Sequence, residues 1–244
     1  MSRSDKTVVI TGATSGIGLG LAEAFLKEGY NVVGTSRTAE RLQTAATKLN
    51  AGERFLGVPG DVGKPESAKR VFEQAIAKYG KVDVLVNNAG IFSAKPFTDF
   101  TPAEVEEQIS TNLKGVLYPS QEAAKHMTAR KQGKIISISA SLAIQPAGYF
   151  PALLAVTLKG AVLHATRALA LELAPHGVTV NAIAPGVVAT PMHAVETHAA
   201  MGKLHPLGRI ATIAEIGEAV LYLAKANYVT GTVMPVDGGF SAGK

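Results

Sequence analysis

The sequence predicts an α/β fold, a doubly wound, seven-stranded parallel sheet with helices on both faces. Three observations carry that expectation. Short β-branched runs alternate with longer helical stretches from end to end, the rhythm of a parallel sheet whose crossovers are helices. The first run passes straight into a glycine-rich turn that opens a helix. No linker or internal repeat interrupts the pattern, so residues 1–244 are expected to form a single domain.

The strands are expected at Thr7 to Thr11, Asn31 to Thr35, Arg54 to Val58, Val82 to Val86, Lys134 to Ser139, Thr179 to Ile183 and Thr232 to Pro235. Runs of Val, Ile and Thr suit a pleated, buried surface. Helices are expected between them, at Gly18 to Lys27, Lys64 to Lys78, Thr101 to Arg130 and Leu154 to Leu173, several opened by a cap or a Pro. Thr101-Pro102-Ala103-Glu104 reads as a capping box with Pro at the first helical position. Right-handed crossovers then bring the C-terminal strand ends to one edge, where every chemistry-bearing motif falls.

Composition narrows the function classes. The chain is 47% hydrophobic and 18% charged, too apolar for a disordered protein. It contains no Cys, which excludes a disulfide scaffold, a thiolate metal site and a Cys nucleophile together. Basic residues exceed acidic ones by 24 − 19 = 5 but are scattered, apart from Arg130, Lys131 and Lys134, read as a solvated helix end. With no Trp and few other aromatics, nucleic-acid binding is not expected. No uninterrupted apolar run approaches the roughly 20 residues needed to span a bilayer. The N-terminus has no signal-peptide pattern, so a cytoplasmic protein without membrane partners is expected.

The glycine turn is Thr11-Gly12-Ala13-Thr14-Ser15-Gly16-Ile17-Gly18. Gly12 permits the sharp turn, Gly16 a close backbone approach to a pyrophosphate, and Gly18 the packing of helix on strand. The helix N-terminus offers free N–H groups to the anion, with Thr14, Ser15 and Ile17 in the same turn as further contacts. This is the Rossmann-type dinucleotide pattern; the alternative is a glycine-rich turn with no ligand. After the second strand an NAD site usually holds the ribose 2′-hydroxyl with a carboxylate. Here the segment is Gly34-Thr35-Ser36-Arg37-Thr38, without one. Arg37 can bond a 2′-phosphate bidentately and Ser36 can add a hydroxyl, so NADP(H) is expected ahead of NAD(H). The alternative makes Arg37 an exposed residue at a helix start.

With these motifs on the page, the chain resembles the short-chain dehydrogenase/reductase family over nearly its whole length. Asp61-Val62, Asn87-Asn88-Ala89-Gly90, Asn112, the run Asn181 to Thr190 and Val236-Asp237-Gly238-Gly239 follow the glycine turn in the family's order. The resemblance implies that Asp61 and Val62 border adenine, and that Asn88, Ala89 and Gly90 border the ribose. It further implies that the nicotinamide-side loop, with Pro185 and Gly186, binds the cofactor, Val188 bonding the carboxamide through its backbone and Thr190 helping by its hydroxyl. Its usual active site is a Ser after the fifth strand, a Tyr, and a Lys four residues beyond the Tyr. Lys159 matches, for catalysis and for the ribose hydroxyls, but Ala155 stands four residues before it. Tyr149, ten residues before Lys159, cannot share a helical turn with it; it is either a displaced acid from the loop or an aromatic wall. Ser137, Ser139 and Ser141 all end or follow the strand; spacing from Ala155 favours Ser141, whereas the strand's own alignment puts Ala140 at the usual position, so Ser139 or Ser141 supplies the hydroxyl, with Ser141 the choice and polar capping of the strand end the alternative for all three.

The expected function is an NADP(H)-dependent oxidoreductase that moves a hydride between nicotinamide and a small carbonyl or alcohol. Asn112, Ser141, Lys159 and Tyr149 are the candidate catalytic residues. The alternatives are a dinucleotide-binding sensor or scaffold without turnover, and a non-redox, lyase-type reaction. The substrate pocket is expected from Ile91 to Phe97, Leu142 to Leu153 and a lid near 190–208. No metal is expected: His193, His198 and His205 lack zinc spacing and are read as exposed lid histidines. The two long helices are rich in apolar residues, among them Ala161, Val162, Leu163, Ala165, Ala168, Leu169 and Leu171, so a homotetramer through them is expected.

Overall fold

The computed structural model describes residues 6–148 and 150–243. Seven strands form one sheet: β1 Thr7–Ile10, β2 Asn31–Ser36, β3 Phe55–Pro59, β4 Val84–Asn87, β5 Gly133–Ile138, β6 Val178–Pro185 and β7 Val233–Val236. The order is β3-β2-β1-β4-β5-β6-β7, and every pair is parallel. The chain winds outward from β1 to β3, then crosses back to lay β4 against the other side of β1. In the register Val9 faces Val33 on one side and Leu85 on the other. Where the winding reverses, the carboxyl ends of β1 and β4 part and leave a crevice.

Among the described residues the α-helices are α1 Gly16–Lys27, α2 Ala39–Leu49, α3 Pro65–Tyr79, α4 Pro102–Ile109, α5 Gly115–Arg130, α6 Leu153–Leu173, α7 His198–Gly202 and α8 Ile213–Lys225, of which α1, α2, α3, α5, α6 and α8 pack on the sheet. Alternation along β1 supplies both cores. Val8 and Ile10 join Leu21 and Phe25 of α1 and Ile216, Val220 and Leu223 of α8. Val9 points the other way, into Val71 and Phe72 of α3, Met127 of α5 and Leu173 of α6. A strand buried on both faces reads as an unbroken apolar run, which is why Thr7–Ile10 was legible.

The helix expected as one piece from Thr101 to Arg130 is interrupted. Its capping box forms: Thr101 accepts from the Glu104 N–H, and the Glu104 carboxylate accepts from the Thr101 N–H. At Ser110–Lys114, however, the turn widens to a π-helix before α5 begins. One turn beyond lies Pro119, whose missing N–H leaves the Gly115 carbonyl without its helical donor. The wide turn carries Asn112, buried at the crevice. The helix α6, for its part, is long and apolar enough to cross a bilayer by composition alone. Here it packs on β6 and contributes Leu158, Val162, Leu163 and Leu173 to the buried interior. Val162 and Leu163, counted above toward a subunit contact, are thus satisfied within their own chain, while Leu171 is 80% exposed.

The basic cluster also departs from expectation. Arg130 donates to the Val82 carbonyl at 2.8 Å and to Asp83 at 2.9 Å, while Asp83 also accepts from the Thr7 N–H at 2.9 Å. The Lys134 ammonium bonds the Ala226 carbonyl. Only Lys131, in a left-handed C-cap, is the solvated helix end that was read for all three. Beside them His126 accepts from the Val82 N–H through Nε2 at 3.1 Å. Burial, then the Arg130 charge, hold this imidazole below its ordinary value, against a smaller upward pull from Asp83. The unfolded chain therefore protonates His126 first: stability is full above pH 6.5 and falls as the pH drops below it. The variant His126→Gln, which keeps an acceptor, is expected to flatten the acid side of a Tm-against-pH curve. An unchanged slope would show that His126 contributes nothing to acid lability.

Candidate active site

The crevice begins at the end of β1. Gly12 and Gly16 take positive φ values of 68° and 50°, a region that glycine enters without strain. Gly18 is fixed by contact instead of by dihedral. A Cβ there would lie 2.1 Å from the Gly12 carbonyl oxygen and 2.5 Å from Asn88 Nδ2. Asn88 is itself held by its Nδ2, which donates to the Thr11 carbonyl at 2.9 Å and the Gly12 carbonyl at 3.2 Å. The Thr11 hydroxyl accepts from the N–H groups of Asn88 and Ala89, at 2.9 and 3.0 Å. Sequence reasoning named Gly12, Gly18, Asn88, Ala89 and Gly90 but missed Thr11, which ties the β4 loop to the turn. The helix α1 then starts at Gly16, and its first-turn N–H groups open on the cavity with Thr14, Ser15 and Ile17.

Next to the turn, Ser36 closes β2 and meets the Thr14 hydroxyl at 3.4 Å. Arg37 is exposed and lines the cavity, and so does Arg41, one helical turn farther along. The sequence reading overlooked Arg41, although its spacing from Arg37 was the available signal. Asp61, whose carboxylate accepts from the Gly63 N–H at 2.9 Å, and Val62 complete this end.

At the other end the three serines separate. Ser137 lies within reach of Asn87, Nδ2 to Oγ at 3.4 Å, and Ser139 donates to the Lys159 carbonyl at 2.9 Å. Ser141 is buried and lines the cavity, and its hydroxyl has no hydrogen-bond partner among the described residues. Among the described residues, Ser141 is the one of the three whose hydroxyl makes no hydrogen bond. Lys159 projects from α6 into the same space and donates to the Ile138 carbonyl at 2.8 Å; burial lowers its pKa to about 8. Asn112 gives both amide hydrogens away, to the Ile91 carbonyl at 3.0 Å and to Gln108 at 2.7 Å, while its oxygen accepts from the Ile91 N–H at 3.0 Å. Asn112 thus braces the β4 loop, with one oxygen lone pair remaining. Ala155 and Val156 present small side chains one turn before Lys159. Tyr149 lies outside the described residues.

The loop after β6 completes the cavity with Pro185, Gly186, Val188 and Thr190. Ala211 donates to the Val187 carbonyl at 2.9 Å and accepts from the Ala189 N–H at 2.8 Å. That alternation turns the amide groups of Val188 away from Ala211, and none of the loop's hydrogen bonds uses them. His205, expected as an exposed lid residue, is buried instead. Its Nε2 accepts from the Val187 N–H at 3.3 Å, which places the ring proton on Nδ1, donating to the Asp237 carbonyl at 2.7 Å. It pins the Val187 loop to the C-terminal segment. His193 and His198 are half-buried, joined by a 3.2 Å contact from His198 Nε2 to the His193 carbonyl. Among the described residues no cluster of three metal-type ligands occurs.

These surfaces enclose one cavity of about 500 Å³, running from Arg37 and Asp61 past the glycine turn to Lys159, Ser141 and Val188. A dinucleotide fits the donor set. Guanidinium groups stand at one end, the helix N-terminus sits in the middle, and an amide edge, a hydroxyl and an ammonium meet at the other.

Comparison with known proteins agrees. The family described as "Enoyl-(Acyl carrier protein) reductase" matches residues 12–241. The chain is 38% identical to 3beta-hydroxysteroid dehydrogenase 1 of Eggerthella lenta over 246 residues, 97% of this chain and 94% of that protein. It is 34% identical to the 3-oxoacyl-[acyl-carrier-protein] reductase FabG of Aquifex aeolicus, covering 96% of each. Among solved structures, a Brucella melitensis 3-ketoacyl-(acyl-carrier-protein) reductase complexed with NADH superposes with a TM-score of 0.92 at 31% identity, covering 98% of this chain and 100% of that one. ElxO with NADP bound gives 0.91 at 30%, covering 98% and 99%. The chain belongs to the short-chain dehydrogenase/reductase family of NAD(P)-dependent oxidoreductases.

The glycine turn carries the first test. In Gly18→Ala the added methyl collides with backbone, so α1 must move off the turn. The variant is expected to lose about 1–3 kcal/mol of stability and to lose binding of reduced nicotinamide dinucleotide, NADH or NADPH, in a fluorescence titration. Native affinity in the folded variant would contradict this role for Gly18.

Proposed function

We propose that this protein is an NADP(H)-dependent reductase of a small carbonyl compound, acting without the Tyr that its family usually places four residues before the active-site Lys. The observation that carries this reading is the continuous cavity from the glycine turn to Lys159 and Ser141. A bound reduced nicotinamide supplies the hydride. The residues of the chain position and protonate. Val188 and Thr190 orient the carboxamide edge, Ser141 bonds the substrate oxygen, and the backbone at Gly16 to Gly18 holds the pyrophosphate.

Ala155 puts no phenol four residues before Lys159, so the proton comes from another group. Lys159, with its pKa near 8, is suited to donate near neutral pH, directly or through one water. Arg37 and Arg41, with no carboxylate at the end of β2, favour a 2′-phosphate. A second reading rests on the same Ala155: a dinucleotide-binding protein without turnover, for which cofactor binding with no product is the discriminating result. Leu171 and the apolar residues near it on α6 support a homotetramer, in which that side chain would be covered.

The decisive assay follows NADPH oxidation with activated diketones, comparing the native chain with Ala155→Tyr. Native turnover is expected, with kcat/KM falling as the pH rises through about 8, where Lys159 loses its proton. Turnover by Ala155→Tyr alone would favour the sensor reading. In a separate titration, Arg37→Ala and Arg41→Ala are each expected to weaken NADPH binding by about ten- to hundred-fold while leaving NADH affinity nearly unchanged. Equal losses for both cofactors would remove the NADP preference.

A further inference from the structure

We propose that the substrate is a neutral, flat ring carbonyl, its ring laid against a wall formed by Phe92 and Phe150 and its oxygen on the Ser141 hydroxyl; this rests on the reductase reading above. Phe92 follows β4 and Phe150 precedes α6, yet their rings stack at 5.8 Å with an angle of 15° between planes. Two separate loops thus build one aromatic surface. Both rings line the cavity and remain 40% and 37% exposed. A ligand ring cannot enter between rings already stacked, so it lies on their cavity side, covering apolar area that is otherwise left in water.

The rest of this end has the matching shape. Leu142, Val156, Met192, Met201 and Leu204 supply further apolar lining. Ala155 presents only a methyl, where an aromatic side chain would fill the space. Beside the Lys159 ammonium, the polar handle at this end is Ser141, on the cavity and with no side-chain hydrogen bond among the described residues. Opening on the cavity, that hydroxyl can donate to the carbonyl oxygen of a ligand.

Charge sets the remaining preference. The carboxylate and guanidinium groups that line the cavity, Asp61, Arg37 and Arg41, belong to its adenosine end. Among the described residues, the other ionisable groups lining the cavity are Lys159, whose Nζ already donates to the Ile138 carbonyl, and His193 and His205. The His205 ring nitrogens are both engaged with backbone. Burial, then His198, hold His193 below its ordinary value. No guanidinium stands ready for a substrate carboxylate, and the Lys159 ammonium is engaged at the ketone oxygen in the reading above, so a carboxylate elsewhere on the ring would be desolvated without a partner.

The test is isothermal titration of the NADP⁺-loaded protein with 2-tetralone, with a tetralone of the same ring system bearing a carboxylate, and with the parent hydrocarbon tetralin. Expected are binding of the neutral ketone and at least ten-fold weaker binding of the carboxylate. Phe92→Ala and Phe150→Ala should each weaken the ketone by about five- to ten-fold. Phe97→Ala, 57% exposed on the Phe92 loop and not among the cavity-lining residues, should leave it unchanged. Ser141→Ala should weaken the ketone but not tetralin. Native affinity in both aromatic variants, or a carboxylate that binds as tightly as the ketone, overturns the proposal; so does NADPH binding with no ketone binding. Ketone binding with the expected variant pattern but without NADPH binding leaves the ring site standing and removes the reductase reading instead.

Discussion

The structure depends on one close approach, that of the β1–α1 turn to the loop after β4. Gly18 can lie against the Gly12 carbonyl and Asn88 only because it has no Cβ. The Thr11 hydroxyl and the Asn88 amide then lock two loops that leave the sheet on either side of its switch point. The crevice exists because the winding reverses at β1. Its floor is rigid because the hydrogen bonds that span it join backbone to short side chains, which have little freedom to lose.

A second network positions the reacting end. The π-turn at Ser110–Lys114 lets Asn112 grip both the N–H and the carbonyl of Ile91, so the start of the Phe92 loop is tied to the long helix. Ser139 is bonded to the backbone of α6 at Lys159, and the Lys159 ammonium bonds the end of β5. Strand and helix thus brace one another at the residue whose charge matters most. On the far side, His205 holds the Val187 loop to Asp237 by two hydrogen bonds, which leaves Val188 free to face the cavity. The polar groups at this end are largely committed to holding loops, and few remain for chemistry.

Much of this was legible in the chain. The seven strands and the doubly wound order follow from β-branched runs separated by helical ones, and the capping box at Thr101 lies where four consecutive residues put it. Gly12, Gly16 and Gly18 were readable because strand, turn and helix are local. The errors share a cause. Arg130, Lys134 and His205 are polar residues whose partners lie at Val82 and Asp83, Ala226, Val187 and Asp237, and no local pattern reports such pairings. The π-turn was not read either: Ser110-Thr111-Asn112 and Pro119 are weak helix formers within a run that is otherwise helical on both sides, and neither fixes where the turn widens.

The sequence by itself determined the fold class, the dinucleotide-type turn and the presence of Ala155 one turn before Lys159, because each is a matter of periodicity or of residue identity at short range. Only the tertiary structure decided which of Ser137, Ser139 and Ser141 keeps its hydroxyl without a partner among the described residues, and that Phe92 and Phe150 meet. The physical reason is the same for both. Whether a hydroxyl is free or a ring finds its partner depends on what other strands and loops bring alongside it, at separations of 20 to 58 residues for Lys159 and Phe150.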